Sequence, residues 1–206
     1  MIIRRKQIMS HTSINPSTLL APTPVVLVGC ATQAEKANLI TVAWVGTVNS
    51  KPPMVSVSIQ PIRHSYHLIK ESGEFTVNLV SRELLHATDF CGVKSGRDMD
   101  KFAECNLTAI KAEGLTLAPA VEESPLYLSC KVRESLNLGS HTMFVGEIVH
   151  VGVRSDLIDE EGKIHLNKAN LVAYAHGNYY GLAERLGFFG YSVARPEVFK
   201  RRMEEG

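Results

Sequence analysis

Two long stretches of alternating hydrophobicity, PLYLSCKVRESLNL at 125–138 and TMFVGEIVHVGVRS at 142–155, limit what this chain can fold into. Alternation with period two sends successive side chains to opposite faces of a strand. Asn137-Leu138-Gly139-Ser140 lies between the two runs as a turn. Shorter strands are predicted before them: VVLVGCAT (25–32), introduced by Pro22 and Pro24, then ITVAWVGTV (40–48), MVSVSI (54–59) and EFTVNLV (74–80). QAEKANL (33–39) reads as a polar loop, NSKPP (49–53) and DEEGK (159–163) as turns, and NLVAYAHGNYYGL (170–182) as a mixed segment. Pro61 ends the third of these strands. Helices are few and short. SYHLIKES (65–72) has Ser65 as its cap and Gly73 as its stop. SRELLHATDFCG (81–92) has Ser81 as its cap, and a helical patch covers 101–104. Six or more strands with little helix favour a closed or nearly closed barrel, because closure removes exposed edges. A doubly wound α/β fold would need longer helices between strands.

The 206 residues, 45% hydrophobic, suffice for one sizeable core, so residues 1–206 read as a single domain. Residues 1–14 read as a flexible leader and 193–206 as a peripheral, charged tail. The start, MIIRRKQIMS, is positive but has no apolar stretch behind it, unlike a signal peptide. Lys plus Arg number 22 and Asp plus Glu 21, a balance that argues against a nucleic-acid partner. No apolar run reaches transmembrane length. Cys30, Cys91, Cys105 and Cys130 are widely spaced and form no CxxC pair. They are expected to be buried or idle thiols of a cytoplasmic protein.

HExxH, GxSxG, GxxxxGK[ST] and the dinucleotide glycine pattern are all missing. His64 and His67 are three apart, but no third metal ligand lies near them, so surface or capping roles are expected. His141 follows Gly139-Ser140 at a strand start, where an imidazole is either a turn residue or within reach of a cofactor. Three polar patches stand out together. Asn38 and Thr41 enter the second strand with Trp44 behind them. Arg63 and Ser65 sit where a helix opens, and free helix N–H groups beside an arginine fork suit a phosphate. Lys94-Ser95-Gly96-Arg97-Asp98 is a cationic loop able to wrap an anion or a planar polar ring. Each patch alone is more often a solvated turn, and periodicity does not say that the three converge.

The order of NPSTLLAPTPVVLVGC (15–30), ANLITVAWVGTV (37–48), PPMVSVSI (52–59), RHSYHLIKESGEFTVNL (63–79), KSGRDMDKF (94–102), GSHTMFVGEIVHV (139–151) and YAHGNYYGLAERLGFFGYS (174–192) resembles the flavin reductase-like family of FMN-binding split barrels, and within it the flavoredoxins. The resemblance implies a mainly β split barrel with a few short helices that binds FMN noncovalently, usually as a homodimer. It implies that Asn38, Leu39, Ile40 and Thr41 line the flavin ring and ribityl chain, and that Arg63 and Ser65 grip the phosphate. The loop Lys94, Ser95, Gly96, Arg97 and Asp98 would approach from another side, with Phe90 and Cys91 near the ring. Trp44 would support the site, and His141 would face the nicotinamide or substrate. The activity implied is hydride transfer from NADH or NADPH to FMN and on to a flavin or protein acceptor. Alternatives are a flavoredoxin-like electron carrier reduced by a protein donor, and a flavin-binding module without turnover.

Overall fold

The computed structural model describes residues 10–204. The chain forms β1 (Thr23–Pro24), β2 (Val26–Cys30), β3 (Asn38–Val42), β4 (Val45–Ser50), β5 (Pro53–Ile59), α1 (His64–Ser72), β6 (Glu74–Leu79), α2 (Leu85–Val93) and α3 (Lys101–Glu104). It continues through β7 (Ala109–Lys111), β8 (Pro119–Val121), β9 (Leu126–Asn137), β10 (Thr142–Val153), β11 (Val172–Ala175), β12 (Asn178–Gly181) and α4 (Pro196–Glu204). The fold is mainly β with short helices, as expected.

Seven antiparallel strands make one sheet in the order β3-β2-β6-β9-β10-β5-β4. Its two edge strands, β3 and β4, are consecutive in the chain, with only Ala43 and Trp44 between them. In a flat sheet those edges would lie about 28 Å apart. The bonds from Val42 to Val45 reach at most about 11 Å. The sheet therefore curls until its edges nearly meet, and the Ser58 N–H, bonded to the Trp44 carbonyl at 3.0 Å, ties the crossing to β5. The concave side carries Val26, Val28, Val57, Phe75 and Phe144, and Leu68 and Ile69 of α1 pack into the same cluster. Leu27 and Leu39 belong to a second cluster that also holds Leu84 and Cys91 of the α2 region and Phe102 of α3. The predicted β9–β10 pairing runs from Thr142 opposite Asn137 to Val153 opposite Leu126, with a register shift at Val145/Gly146. Gly146 is needed there, because a Cβ would stand 2.5 Å from the Phe75 ring.

Several local expectations are corrected. The segment 40–48 is two strands, because the chain leaves one sheet edge at Val42 and enters the other at Val45. Asn38 and Leu39 belong to β3, paired with Cys30 and Gly29, not to the preceding loop. Ser65 does not cap α1. Arg63 holds that position without a side-chain bond, and the Ser65 hydroxyl accepts from Asn38 Nδ2 at 2.8 Å instead. Gly73 does end the helix, at φ 68°, with its N–H on the Ile69 carbonyl. Ser81 precedes a short 3₁₀ turn at 82–84, and α2 starts only at Leu85. The mixed segment 170–182 is the β11–β12 hairpin, turning at His176 and Gly177 with positive φ. Of the leader, residues 1–9 lie outside the described part, and 10–14 are exposed and without regular structure. α4 has no buried residue.

The β7–β8 hairpin, which no sequence pattern announced, is held by buried polar groups of β6. Asn78 donates to the Leu27 carbonyl and accepts from the Val121 N–H, both at 2.9 Å. Thr76 donates to the Pro119 carbonyl at 2.7 Å. Gly29 leaves room for this approach, since a Cβ there would lie 2.3 Å from the Pro119 oxygen. Backbone cannot yield cheaply. Gly29→Ala is expected to lower the unfolding free energy by about 1–3 kcal/mol, read as a lower urea midpoint at unchanged slope.

Candidate functional site

Two hollows of about 350 and 370 Å³ open beside β3 and share Ile40, Gln60 and Arg63 along their common border. They are two lobes of one cleft, placed where the curled sheet fails to close.

The first lobe is cationic. Arg63, Lys94, Arg97 and Lys101 line it, and no Asp or Glu does. It also receives the first residues of α1, His64 and Ser65, whose N–H groups have no intrahelical acceptor. Both helix end and side chains favour an anion. Asn38 links β3 to α1 through its bond to Ser65. Gly96 lies directly on the Asn38 amide, where a Cβ would approach Oδ1 to 2.1 Å, so the loop 94–98 seats itself by having no side chain there. Within that loop, the Arg97 N–H bonds to Ser95 Oγ at 3.2 Å. His64 also lines the lobe, and its Nε2 pairs with Glu35 at 3.1 Å. His67 is exposed and lines neither lobe.

The second lobe is mostly apolar and aromatic, with Ile40, Val42, Trp44, Tyr174 and Tyr179 in its wall. Trp44 is 47% exposed, so it is wall and not core. Its ring meets that of His141 edge-on, centroids 4.2 Å apart. Burial lowers the His141 pKa below its ordinary value, which favours the neutral imidazole. Its Nδ1 lies 2.9 Å from Ser140 Oγ, leaving Nε2 to meet a ligand. Tyr179 donates to Asp89 at 3.0 Å. Burial first, and then that carboxylate, push its phenol up to about 12. Thr41 donates to the Thr88 carbonyl and so pins β3 to α2.

Of the residues expected at the site, Asn38, Ile40, Arg63, Ser65, Cys91, Lys94, Ser95, Gly96 and Arg97 line the cationic lobe. Thr41 and His141 line the aromatic one. Leu39, Phe90 and Asp98 line neither. The Leu39 side chain packs with Leu27 and Phe102, because residues 38–40 alternate across β3. Phe90 sits half-buried on α2, and the Asp98 N–H closes the loop onto the Ser95 carbonyl at 3.2 Å. Several lining residues were not expected from the sequence, among them Asp89, Tyr174 and Tyr179 of the aromatic lobe and Lys101 of the cationic one. Lys101, 3% exposed, donates to the Leu39 and Cys91 carbonyls at 2.8 Å each. Its only signal was Asp100 before it, which caps α3 by accepting from Phe102 and Ala103 and so turns this stretch inward.

Comparison with known proteins agrees with this architecture. The profile of the flavin reductase like domain matches residues 19–183. The chain belongs to the flavin reductase-like family. Flavoredoxin of Desulfovibrio vulgaris (Miyazaki F) superposes with a TM-score of 0.83 at 32% identity, over 90% of this chain and 100% of its own. A Shewanella frigidimarina protein with a split barrel domain superposes with a TM-score of 0.72 at 27% identity, over 81% of this chain and 86% of its own. The split-barrel expectation therefore holds. By sequence, the FMN reductase (NADH) RutF of Pseudomonas syringae is 29% identical over 111 residues, 54% of this chain and 60% of its own. The chain spans two thirds or less of the length of several curated relatives that it matches.

The four cysteines are free. Burial raises the pKa of Cys30 to about 11 and of Cys91 and Cys130 to about 12, so these thiols stay protonated at neutral pH. In native protein at pH 8, Cys30, Cys91 and Cys130 are expected to resist a disulfide reagent such as dithionitrobenzoate for many minutes and to react at once in denaturant. Rapid native labelling of Cys91, located by peptide mass, would contradict this.

Proposed function

We propose that this chain is an FMN-dependent oxidoreductase that takes hydride from NADH or NADPH and passes electrons to a flavin or protein acceptor. The observation that carries the reading is the division of one cleft into a cationic lobe and an aromatic lobe. FMN has the complementary division, a planar ring system at one end and a phosphate at the other. The fit rests on the donors present: four cationic side chains without a lining carboxylate, and a helix start.

In this reading Arg63, Lys94, Arg97 and the first N–H groups of α1 hold the phosphate. Ile40, Thr41 and Trp44 flank the ring and keep water from it. Bound FMN supplies the hydride and one-electron chemistry. His141 stays uncharged and offers one ring nitrogen on the side open to the co-substrate. No other acid or base is required of the chain. The redox names of the relatives support the same reading. A second reading has its own support: by superposition, flavoredoxin covers 90% of this chain at a TM-score of 0.83, against 81% and 0.72 for the Shewanella protein. It makes the protein an electron carrier reduced by another protein.

Anaerobic mixing of the FMN-loaded protein with NADH or NADPH separates the two. The expected outcome is bleaching of the flavin absorbance by a pyridine nucleotide. Bleaching only by a reduced protein donor supports the carrier, and no bleaching by either points to a binding module. His141→Ala is expected to slow bleaching about tenfold while leaving FMN affinity unchanged. Because its pKa lies below the usual value of about 6.5, the group is already neutral above pH 7. The wild-type rate should then show no His141 step between pH 7 and 8.

We also read the protein as a cytoplasmic homodimer, built on a single domain. No described helix is long and apolar enough to cross a membrane. Val48, Leu136, Val149 and Val151 face outward on the sheet, between 41% and 49% exposed, and a second copy would cover them. Sedimentation at micromolar concentration should give twice the chain mass of 22.7 kDa. A monomer that still holds FMN would refute the dimer.

A further inference from the structure

Cys91 and Cys105 form no sequence motif, yet the fold sets them side by side. Cys91 is fully buried near the end of α2, and Cys105 follows α3. Lys101 fixes their relation. Its ammonium bonds to the Cys91 carbonyl at 2.8 Å, and its own carbonyl accepts the Cys105 N–H at 3.1 Å. Lys101 and Cys105 therefore lie one turn apart on one face of α3, against the end of α2. Both cysteines pack with Leu39, Leu84 and Phe102, and the two thiols are hydrogen-bond partners of each other. The other two thiols are turned to the backbone. Cys30 bonds to the Asn38 carbonyl at 3.7 Å, and Cys130 to the Leu128 carbonyl at 3.8 Å.

The pair also joins two hollows. Cys91 belongs to the wall of the cationic lobe. Cys105 is half-buried and lines a separate hollow of about 450 Å³, with Leu84, Ala87 and Leu107 beside it. The charged groups of that hollow are already answered: Arg154 by Asp156, Glu123 by Thr108 and Glu83 by Asn170. What faces a visitor is an apolar surface, His86 and a thiol.

We propose that Cys91 and Cys105 are a dithiol–disulfide couple, entered at Cys105 by a small uncharged organic disulfide from this second hollow. In the first step the Cys105 thiolate attacks one sulfur of the reagent, whose S–S bond breaks. A mixed disulfide forms on Cys105 and one small thiol leaves. In the second step the Cys91 sulfur attacks that of Cys105 and gives up its proton, and the other small thiol leaves. The two protein thiols lose two electrons and two protons, and the reagent gains both. Burial keeps both thiols protonated near neutrality, so the exchange takes hours, and Cys91 is consumed by Cys105 without being labelled itself. Closing the bridge draws the end of α2 against α3. Lys101 holds the Leu39 and Cys91 carbonyls at 2.8 Å each, so this shift strains its bonds and disturbs the cationic lobe from behind.

The test incubates the full chain at pH 8 with excess hydroxyethyl disulfide and maps tryptic peptides without reduction. Lys94, Arg97 and Lys101 lie between the two cysteines, so their peptides travel together only when bridged. The expected result is a Cys91–Cys105 bridge, a chain lighter by two hydrogen atoms, and Cys30 and Cys130 still free. Cys105→Ser should form no bridge and leave Cys91 free. A lasting adduct on Cys105, a bridge to Cys30 or Cys130, or no reaction at all would overturn the proposal and leave the pair as packing. Should Cys105→Ser not fold, the wild-type map decides alone. The effect on the cleft rests on the FMN reading above and is measured separately. Bridged protein should bind FMN about fivefold more weakly than reduced protein, with affinity restored by dithiothreitol. A bridge that leaves the affinity unchanged would overturn the coupling through Lys101. Reduced protein that binds no FMN would overturn the cofactor reading and leave the peptide map standing.

Discussion

The two-residue crossing at Ala43–Trp44 is the constraint on which the rest of this structure depends. It joins the opposite edges of a seven-stranded sheet, so the sheet has to curl. It does not complete a ladder, because β3 and β4 are not paired with each other. The barrel is split there, and the cleft lies along the split. The same geometry gives β3 an unpaired edge. An edge strand has free backbone groups that must be met by something other than another strand. Here Lys101 answers the Leu39 carbonyl. The Asn38 and Thr41 side chains bond to α1 and α2 and hold those helices beside the strand. The elements that bound the cleft are therefore the elements that finish the edge.

Inside the barrel the rule is the ordinary one of apolar burial and satisfied polar groups. Asn78 and Thr76 are fully buried, and they bond to backbone groups and to each other. At the split the rule changes. Lys101 is buried without an opposite charge, and Asn38 and Ser65 bond to each other on the lobe wall. Stability is given up at such positions when a ligand repays it. Lys101 is what sets the wall of the cleft apart from the buried polar groups inside the barrel.

Much of this was legible in the sequence, and the limits are physical. Strands β9 and β10 were clear because a period-two pattern over twelve residues has no helical competitor. Gly73 was clear because a left-handed helix stop is a local demand. The break in 40–48 was hidden, since a chain passing from one sheet edge to the other keeps its β-branched composition on both sides. The β7–β8 hairpin was hidden because its seat is Asn78, more than thirty residues earlier in the chain. At the site, the turn at Arg63 and the loop 94–98 carried visible charge and glycine. Lys101 did not stand out, because lysine is the residue least expected inside a protein. Ser65 was singled out for a cap that the fold assigns elsewhere. Its hydroxyl was free to serve Asn38 because Arg63 already occupied the first position.

Charge within the cleft is sorted along its length. In the aromatic lobe, burial pushes the His141 pKa down and, with Asp89, pushes the Tyr179 pKa up to about 12, so both rings are neutral near pH 7. Cys91, on the wall of the cationic lobe, is also neutral, its thiol raised to about 12. Asp89 is the carboxylate in the aromatic wall, and the Tyr179 hydroxyl donates to it. Positive charge is gathered instead at the other lobe, on Lys94, Arg97 and Lys101, with Arg63 on the border between the two. A ligand with a neutral ring and an anionic tail then has one favourable orientation along the split, and the reverse orientation would put its anion beside Asp89. Orientation is thus decided by desolvation and charge placement before any contact with the ring is made. That explains how a cleft with few hydrogen-bonding groups over its aromatic half can still present one defined end of its ligand to the open side, where Trp44 and His141 stand.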